Sequence, residues 1–190
     1  MKRPSKSGGA AAAPVIRVLE REECEAILAR NAVGRLAYSY RDRVDIVPIH
    51  FVYDGGWLYG RTSPGSKLEP IAHNHWVAFE VDEVEGIFAW RSVVVRGGLY
   101  VLHADGPERE QVAWERALDL MRGLVPQAGT AADPVPDRTV LFRVHADEMT
   151  GRESTPGPAP GRRSTGGGGG GALAGLPEDD AAAGEGDEAT

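Results

Sequence analysis

Hydrophobic and polar residues follow a two-residue period over most of the chain, and two segments instead have the wider spacing of helices. In residues 20–30, apolar side chains recur every three or four positions, which predicts one buried helical face. A second helix is predicted over about 107–123, because this segment opens with proline and acidic residues and ends at Gly123. The rest of the patterned region is expected to be β-structure.

Six segments have the alternating or continuously apolar pattern of β-strands. They are residues 34–41, 44–53, 57–62, 75–83, 91–103 and 138–146. Tight turns join the first three, and the Asp-Gly-Gly sequence at 54–56 is typical of a hairpin, so we expect an antiparallel meander. Gly97 and Gly98 interrupt the fifth strand, where a bulge or sharp bend is expected. The pattern predicts a mainly β protein, a small closed antiparallel barrel of six strands with flanking helices.

Composition divides the 190 residues into one domain and two tails. Residues 1–14 are a short basic lead that we expect to be flexible. Residues 152–190 contain a run of six glycines and end in an acidic stretch, with almost no aromatic or β-branched residues. Such a segment buries too little apolar surface to offset the entropy of ordering it, so a disordered tail is predicted. Residues 15–151 remain as the folded domain, which is long enough for one hydrophobic core.

Charge and hydropathy exclude several classes of function. The predicted domain has 15 Lys and Arg against 21 Asp and Glu, so it lacks the basic surface that nucleic-acid binding requires. No apolar run approaches the roughly 20 residues that cross a bilayer, and the N-terminus has no signal-like apolar stretch. We therefore expect a cytoplasmic protein. The single cysteine, Cys24, excludes an internal disulfide, and its place on a helical face favours a buried structural thiol over a nucleophile.

The stretch YGRTSPGSKLEPIAHN, residues 59–74, is close to a phosphate-binding P-loop. A P-loop has lysine directly after its last glycine and then a hydroxyl residue that holds Mg²⁺, whereas Ser66 precedes Lys67 here. The stretch also lies in an antiparallel meander rather than between parallel strands. Nucleotide hydrolysis is therefore not expected.

The same stretch has features of an anion site at the start of a short helix. Residues 66–69 have the Ser-x-x-Glu pattern of a capping box, and a helix N-terminus attracts anions through its free N–H groups and dipole. Arg61 and Lys67 both lie at this positive end, where a bound anion would neutralise them. Hydroxyl donors are supplied by Thr62, Ser63 and Ser66. The alternative interpretation, a surface turn with two solvated cations, stays open on these residues alone.

His73 and His75 suggest a metal site, but no third ligand stands at motif spacing, and protein metal sites need three or four converging groups. We predict no metal site.

Five segments occur in an order and spacing that resemble a known family. They are NAVGRLA (31–37), VDIVPIHFVYD (44–54), LYGRTSPGSK (58–67), NHWVAFEVD (74–82) and WRSVVVRG (90–97). Together they resemble the pyridoxamine 5′-phosphate oxidase-like flavoproteins of the FMN-binding split-barrel fold, closest to the branch with the nitroimidazole-resistance proteins. The resemblance covers about residues 16–149 and implies an antiparallel six-stranded split β-barrel.

The resemblance implies cofactor-binding roles for nine residues. Those implied to hold the FMN phosphate are Arg61, Thr62, Ser63 and Lys67. Those implied to lie along the isoalloxazine edge, chiefly through backbone groups, are Val47, Pro48 and Ile49. Trp90 and Ser92 belong to a segment that in the family lies near the flavin and commonly reaches across a homodimer. Pro48 lacks an N–H group, which suits a strand whose neighbour is a ligand.

The function implied is that of an FMN-dependent oxidoreductase that passes electrons from NADH or NADPH to a small, electron-poor organic substrate. The cofactor carries the redox chemistry, so no catalytic side chain is assigned. Two alternatives stay open: a deazaflavin-dependent reductase, and a non-enzymatic dimer that binds flavin or haem for storage or sensing.

The histidine that the nitroimidazole-resistance branch often has before the phosphate loop is replaced here by Gly60 and Arg61. His50 either points to the cofactor or is a hydrogen-bonded barrel histidine, and vitamin B6 synthesis is not assigned.

Overall fold

The computed structural model describes residues 13–65 and 73–158, and this part of the chain forms eight β-strands and two long α-helices. In chain order they are β1 Val15–Leu19, α1 Arg21–Arg30, β2 Val33–Tyr40, β3 Arg43–Asp54, β4 Trp57–Thr62, β5 Trp76–Gly86, β6 Ala89–Leu102, α2 Glu108–Leu124, β7 Val140–His145 and β8 Glu148–Thr155. The carboxylate of Glu23 accepts a hydrogen bond from the Glu20 N–H and so stabilises the start of α1. Both predicted long helices are confirmed.

Six of the strands close into a ring. Antiparallel pairing runs from β6 through β5, β2, β3 and β4 to β7, and β7 pairs back with β6. These are the six predicted strands, so the mainly β antiparallel barrel is confirmed. The predicted Asp-Gly-Gly turn joins β3 and β4, with φ of 56° at Gly55 and 85° at Gly56, a conformation that glycine adopts without a steric penalty.

Two strands were not predicted. β8 pairs with the first half of β6, and β1 pairs with β8, so both extend the sheet outside the ring. Residues 152–155, which the sequence analysis assigns to the tail, are part of β8, and Glu153 and Ser154 are buried there. Strand prediction relies on alternating apolar residues, and the polar side chains of Glu153 and Ser154 do not give that pattern.

Strand β6 changes partner at its glycine pair. Its pairing with β5 is regular through Gly98, and pairing with β7 begins at Leu99, so no bulge interrupts the ladder at Gly97 and Gly98. The one register shift in that hairpin lies between Val84 and Gly86. A Cβ atom built on Gly97 would lie 1.8 Å from the carbonyl oxygen of His145, so this crossing of the two strands requires glycine.

The described residues form two hydrophobic clusters on opposite sides of the barrel wall. The larger fills the barrel and extends to α1, and it includes Phe51, Phe79 and Cys24. The smaller lies between the outside of the wall and α2, and it includes Tyr59 and Leu141. The thiol of Cys24 is 1% exposed, and burial raises its pKa, so the predicted buried structural thiol is confirmed.

Several predictions fall on residues outside the described ranges. These are most of the basic lead, the short helix with its capping box at 66–69, the proposed phosphate ligand Lys67, and the tail from residue 159 onward. Neither α1 nor α2, nor any other helix of the described residues, has the length and apolarity needed to cross a membrane.

Candidate functional site

Strand β3 stops pairing with β2 before it starts to pair with β4, and this leaves a gap in the barrel wall. Residues 43–50 pair with β2, and pairing with β4 begins only at Phe51. Backbone groups of a strand point alternately to its two sides, so about half of those in 43–50 are turned away from β2. Among the described residues no strand pairs with that side. This edge has hydrogen-bonding capacity that a bound molecule can use.

Three of the predicted cofactor residues lie at this edge. The side chain of Ile49 is buried in the barrel core and that of Val47 packs against the core, so both are turned inward. Pro48 lies between them and is exposed on the outer face. Val47 and Ile49 can therefore meet a ligand here through their backbone groups rather than their side chains, and Pro48 contributes no N–H donor.

Thr62 and Ser63 follow at the end of β4, across from this edge. Thr62 is 9% exposed, and Ser63 is exposed at the start of the loop that follows. Of the four predicted phosphate residues, Arg61, Thr62 and Ser63 lie in the described part of the chain, and Lys67 does not. Thr62 and Ser63 lie at the open side of the wall, where β3 is no longer paired with β4.

Arg61 is turned away from this position. Its side chain emerges on the other face of β4 from Thr62, under α2, where both terminal nitrogens donate to the carboxylate of Asp133. The Asp133 carboxylate also accepts hydrogen bonds from the backbone N–H groups of Val135, at 3.0 Å, and Gly129, at 2.9 Å. The Arg61 guanidinium and these two N–H groups hold the pKa of Asp133 well below its usual range. The positive charge of Arg61 is thus neutralised within the chain.

Trp90 and Ser92 lie on β6 and do not meet β3 within one chain. Strands β5 and β2 stand between β6 and β3 on one side of the ring, and β7 and β4 on the other, so β6 does not pair with β3. The hydroxyl of Ser92 donates to Glu80 at 3.0 Å. Trp90 borders a small cavity of about 150 Å³ at the end of the sheet.

Two residues of these surroundings were not found by sequence reasoning. Asp133 lies in a proline-rich loop, and nothing in the sequence distinguishes it from Asp137 in the same loop. Glu80 lies on the outer face of β5 beside Arg35, and partial burial raises its pKa. The sequence feature that could have identified Glu80 is a carboxylate among the apolar residues of a strand. A carboxyl group of raised pKa is able to donate a hydrogen bond when it is protonated.

The histidines have separate surroundings. His50 is exposed on β3, and its Nδ1 lies 3.3 Å from a terminal nitrogen of Arg138. The ring of His73 packs edge-on against Tyr40, and that of His75 stacks on Trp76. Within residues 13–65 and 73–158, no three His, Cys, Asp or Glu side chains converge as metal ligands would.

A six-stranded barrel opened along one strand edge, with hydroxyl groups across the opening, defines the split-barrel class of proteins. Comparison with known sequences gives the family: residues 20–153 match the sequence model of the pyridoxamine 5′-phosphate oxidase family, so the chain belongs to that family. The predicted family is confirmed.

Three relatives show how far the likeness extends. An uncharacterized protein of Rhizobium meliloti (strain 1021) is 33% identical over 150 residues, which are 75% of this chain and 97% of the relative. The crystal structure of a FAD-binding protein from Mesorhizobium loti is 30% identical, with a TM-score of 0.61 over 74% of this chain and 99% of that one. A structure from Bacteroides thetaiotaomicron, assigned to 5-nitroimidazole antibiotic resistance, has a TM-score of 0.60 at 19% identity, over 81% and 96% of the two chains. The last likeness is one of fold alone.

Proposed function

We propose that this protein binds a flavin at the opening between β3 and β4 and acts as an oxidoreductase. The observation that carries the proposal is the unpaired edge of β3 at 47–49, with the hydroxyl groups of Thr62 and Ser63 across from it. Backbone groups at such an edge suit the polar rim of an isoalloxazine ring, and the hydroxyl groups suit a phosphate. The FAD-binding relative from Mesorhizobium loti supports a flavin as the cofactor class.

Within this proposal the residues divide into ring and phosphate contacts. The backbone of Val47, Pro48 and Ile49 lies along the ring edge. Thr62, Ser63 and Lys67 hold the phosphate of FMN, or the equivalent phosphate of a larger flavin. Arg61 is left out of direct phosphate contact, because its guanidinium is engaged by Asp133.

The flavin supplies the redox chemistry when it is bound, and the chain binds and orients it. A flavin bound here would supply electron transfer from NADH or NADPH to a small, electron-poor organic substrate. The side chains of Val47, Pro48 and Ile49 are apolar, so these three residues contribute orientation and exclusion of water rather than an acid or base.

A homodimer is part of the proposal. Trp90 and Ser92 lie on β6, which does not pair with β3 in one chain, and we propose that a second copy brings its own Trp90 and Ser92 to the ligand. Val44 and Ile46, on the outer face of β3, are 74% and 65% exposed, and neighbouring large apolar residues on one sheet face indicate a surface that a partner covers.

The test is the absorbance spectrum of the purified protein and the mass of the extracted cofactor. A flavin spectrum with an FMN or FAD mass supports the proposal, and a deazaflavin or haem mass overturns it. Thr62→Val keeps the volume of a buried side chain and removes the hydroxyl, so we expect weaker flavin binding than in Thr150→Val, which changes an exposed position on β8. Lys67→Ala should lose the cofactor, and Lys6→Ala should keep it. Full occupancy in both Thr62→Val and Lys67→Ala would contradict the phosphate assignment.

A further inference from the structure

A second cavity lies on the outside of the barrel wall, beneath α2. It has a volume of about 250 Å³ and is covered by the loop between α2 and β7. Its lining comes from α2, the end of β4, this loop and the start of β7, and it includes Arg61, Asp133, Trp114, Leu118, Thr139 and Arg138.

The floor of the cavity is fixed by the pair of Arg61 and Asp133. Their side chains are 6% and 4% exposed. Because Asp133 also accepts hydrogen bonds from the N–H groups of Val135 and Gly129, the loop is fastened to the strand at this point. A cavity with a fixed floor and cover is preformed, which lowers the entropy lost when a ligand binds.

One wall of the cavity is apolar and partly aromatic. Trp114 and Leu118, both on α2, line it and also pack against the hydrophobic cluster beneath the helix. Their packing holds the indole in place. A flat, fixed indole beside aliphatic carbon favours a planar aromatic ligand, because rings stack on such surfaces.

The lining of the cavity includes a positive charge that no carboxylate of the described residues compensates. Arg138 lines the cavity, and its guanidinium contacts the ring of His50 at 3.3 Å. Among the described residues, no carboxylate lies within 4.0 Å of the Arg138 side chain, whereas Arg61 is fully paired. The charge of Arg138 is therefore available to an anion. Thr139 adds a hydroxyl group beside it.

We propose that this cavity binds the adenylate group of a nucleotide cofactor, with the base against Trp114 and a phosphate at Arg138. A planar base attached to an anion matches an aromatic wall beside a guanidinium that no described carboxylate pairs with. The volume lies below the roughly 300–1,000 Å³ of pockets that enclose a whole drug-sized ligand, so it suits half of a dinucleotide.

The position of the cavity joins it to the proposed flavin site, and the inference rests on that proposed function. Arg138 touches His50, which directly follows Ile49 at the open edge of β3. Arg61, in the floor, directly precedes Thr62. An adenylate here is either the second half of FAD or the adenosine half of NADH or NADPH, and binding measurements separate the two.

The experiment compares the affinities of cofactor-free full-length protein for FMN, FAD and AMP by titration calorimetry, and of FMN-loaded protein for NADPH. The variants are Trp114→Leu, Trp114→Phe and Arg138→Gln, with Arg109→Gln as a charge-matched control on the exposed side of α2. Loss of one stacked base contact or one phosphate contact corresponds to roughly ten-fold in affinity. Trp114→Phe keeps an aromatic ring and should restore most of what Trp114→Leu loses.

If the adenylate belongs to FAD, Trp114→Leu and Arg138→Gln each weaken FAD binding about ten-fold and leave FMN binding unchanged. If it belongs to NADPH, the same variants weaken NADPH binding to the FMN-loaded protein, and FAD and FMN bind the unaltered protein equally. Equal effects of Arg138→Gln and Arg109→Gln on every ligand, with no effect of Trp114→Leu, would overturn the inference. Failure of the unaltered protein to bind FMN or FAD overturns the flavin proposal instead, and AMP binding still reports on the cavity.

Discussion

Arg61 and Asp133 are 72 positions apart in the sequence and form an ion pair between side chains that are both more than nine-tenths buried. This pair connects the end of β4 to the loop that precedes β7. Removing either partner would leave the charge of the other buried without its ion-pair partner, which is strongly destabilising.

Asp133→Ala is therefore expected to lower the melting temperature by at least about 10 °C, because it leaves the Arg61 guanidinium buried and unpaired. Calorimetry or circular dichroism measures this change. The matched control is Arg116→Ala, which breaks the pair of Arg116 and Asp54, whose side chains are 52% and 39% exposed. Exposed ion pairs contribute little to stability. A similar fall in melting temperature in both variants would therefore show that the buried pair of Arg61 and Asp133 stabilises the fold no more than an exposed pair.

Acid should destabilise the protein. The Arg17 guanidinium lowers the pKa of Glu23 to about 2, and Arg17 and Arg91 likewise lower the pKa of Glu153. A carboxylate whose pKa is lower in the folded state stabilises the fold above its unfolded pKa, and this contribution is lost as the pH falls. The free energy of unfolding in urea should thus fall between about pH 5 and pH 2.

Glu153→Gln is the variant that checks this origin of the acid sensitivity. Its unfolding free energy should be lower at pH 7 and should depend less steeply on pH below pH 5, because one of the linked groups is gone. The contribution of Glu80 to stability changes with pH in the opposite direction, because burial raises its pKa and its ionisation therefore destabilises the fold. An unchanged slope in Glu153→Gln would mean that other carboxylates account for the acid loss.

The proposed dimer surface gives a third prediction. Ile46→Asp places a charge at a position that is 65% exposed in one chain, where we expect the partner to cover it. The dissociation constant of the dimer should increase about 30-fold or more, as it does at an energetically important interface position. Size-exclusion chromatography with light scattering over a range of concentrations measures this. Val112→Asp is the control, because Val112 is 61% exposed on α2 and should leave the dimer intact. Equal effects of both variants would contradict the assignment of the dimer surface to β3.

Two glycine substitutions should have opposite effects on stability. Gly97→Ala would bring a Cβ atom to 1.8 Å from the His145 carbonyl oxygen, and this backbone atom has little freedom to move. We expect a loss of about 2–3 kcal/mol in the free energy of unfolding. Gly123→Ala, in the last turn of α2 with open space around it, should gain about 0.5–1 kcal/mol. Urea unfolding of the two variants tests both signs, and a neutral Gly97→Ala would show that β6 and β7 can separate at this crossing.

The sequence by itself determined the elements that depend on local pattern. The six barrel strands and α1 follow from apolar periodicity, α2 follows from its end signals, and the turn at 54–56 follows from its two glycines. The burial of Cys24 follows from its helical face. The family was predicted from five short segments in order, which the match over residues 20–153 confirms.

Only the tertiary structure decided the relationships that join distant residues. Strand β8 was missed because Glu153 and Ser154 are buried polar groups, and hydrogen bonds to Arg91 on β6 and to the Phe88 carbonyl in the β5–β6 turn make this burial possible. Arg61 and Thr62 are adjacent in sequence, yet strand alternation sends them to opposite faces of β4, Arg61 outward to Asp133 and Thr62 to the face that Leu58 turns into the barrel core. The partner of Arg61 comes from a loop 72 positions away, and local sequence holds no signal for that contact. Periodicity fixes which face a side chain occupies, but pairing between distant segments is fixed only when the whole barrel closes.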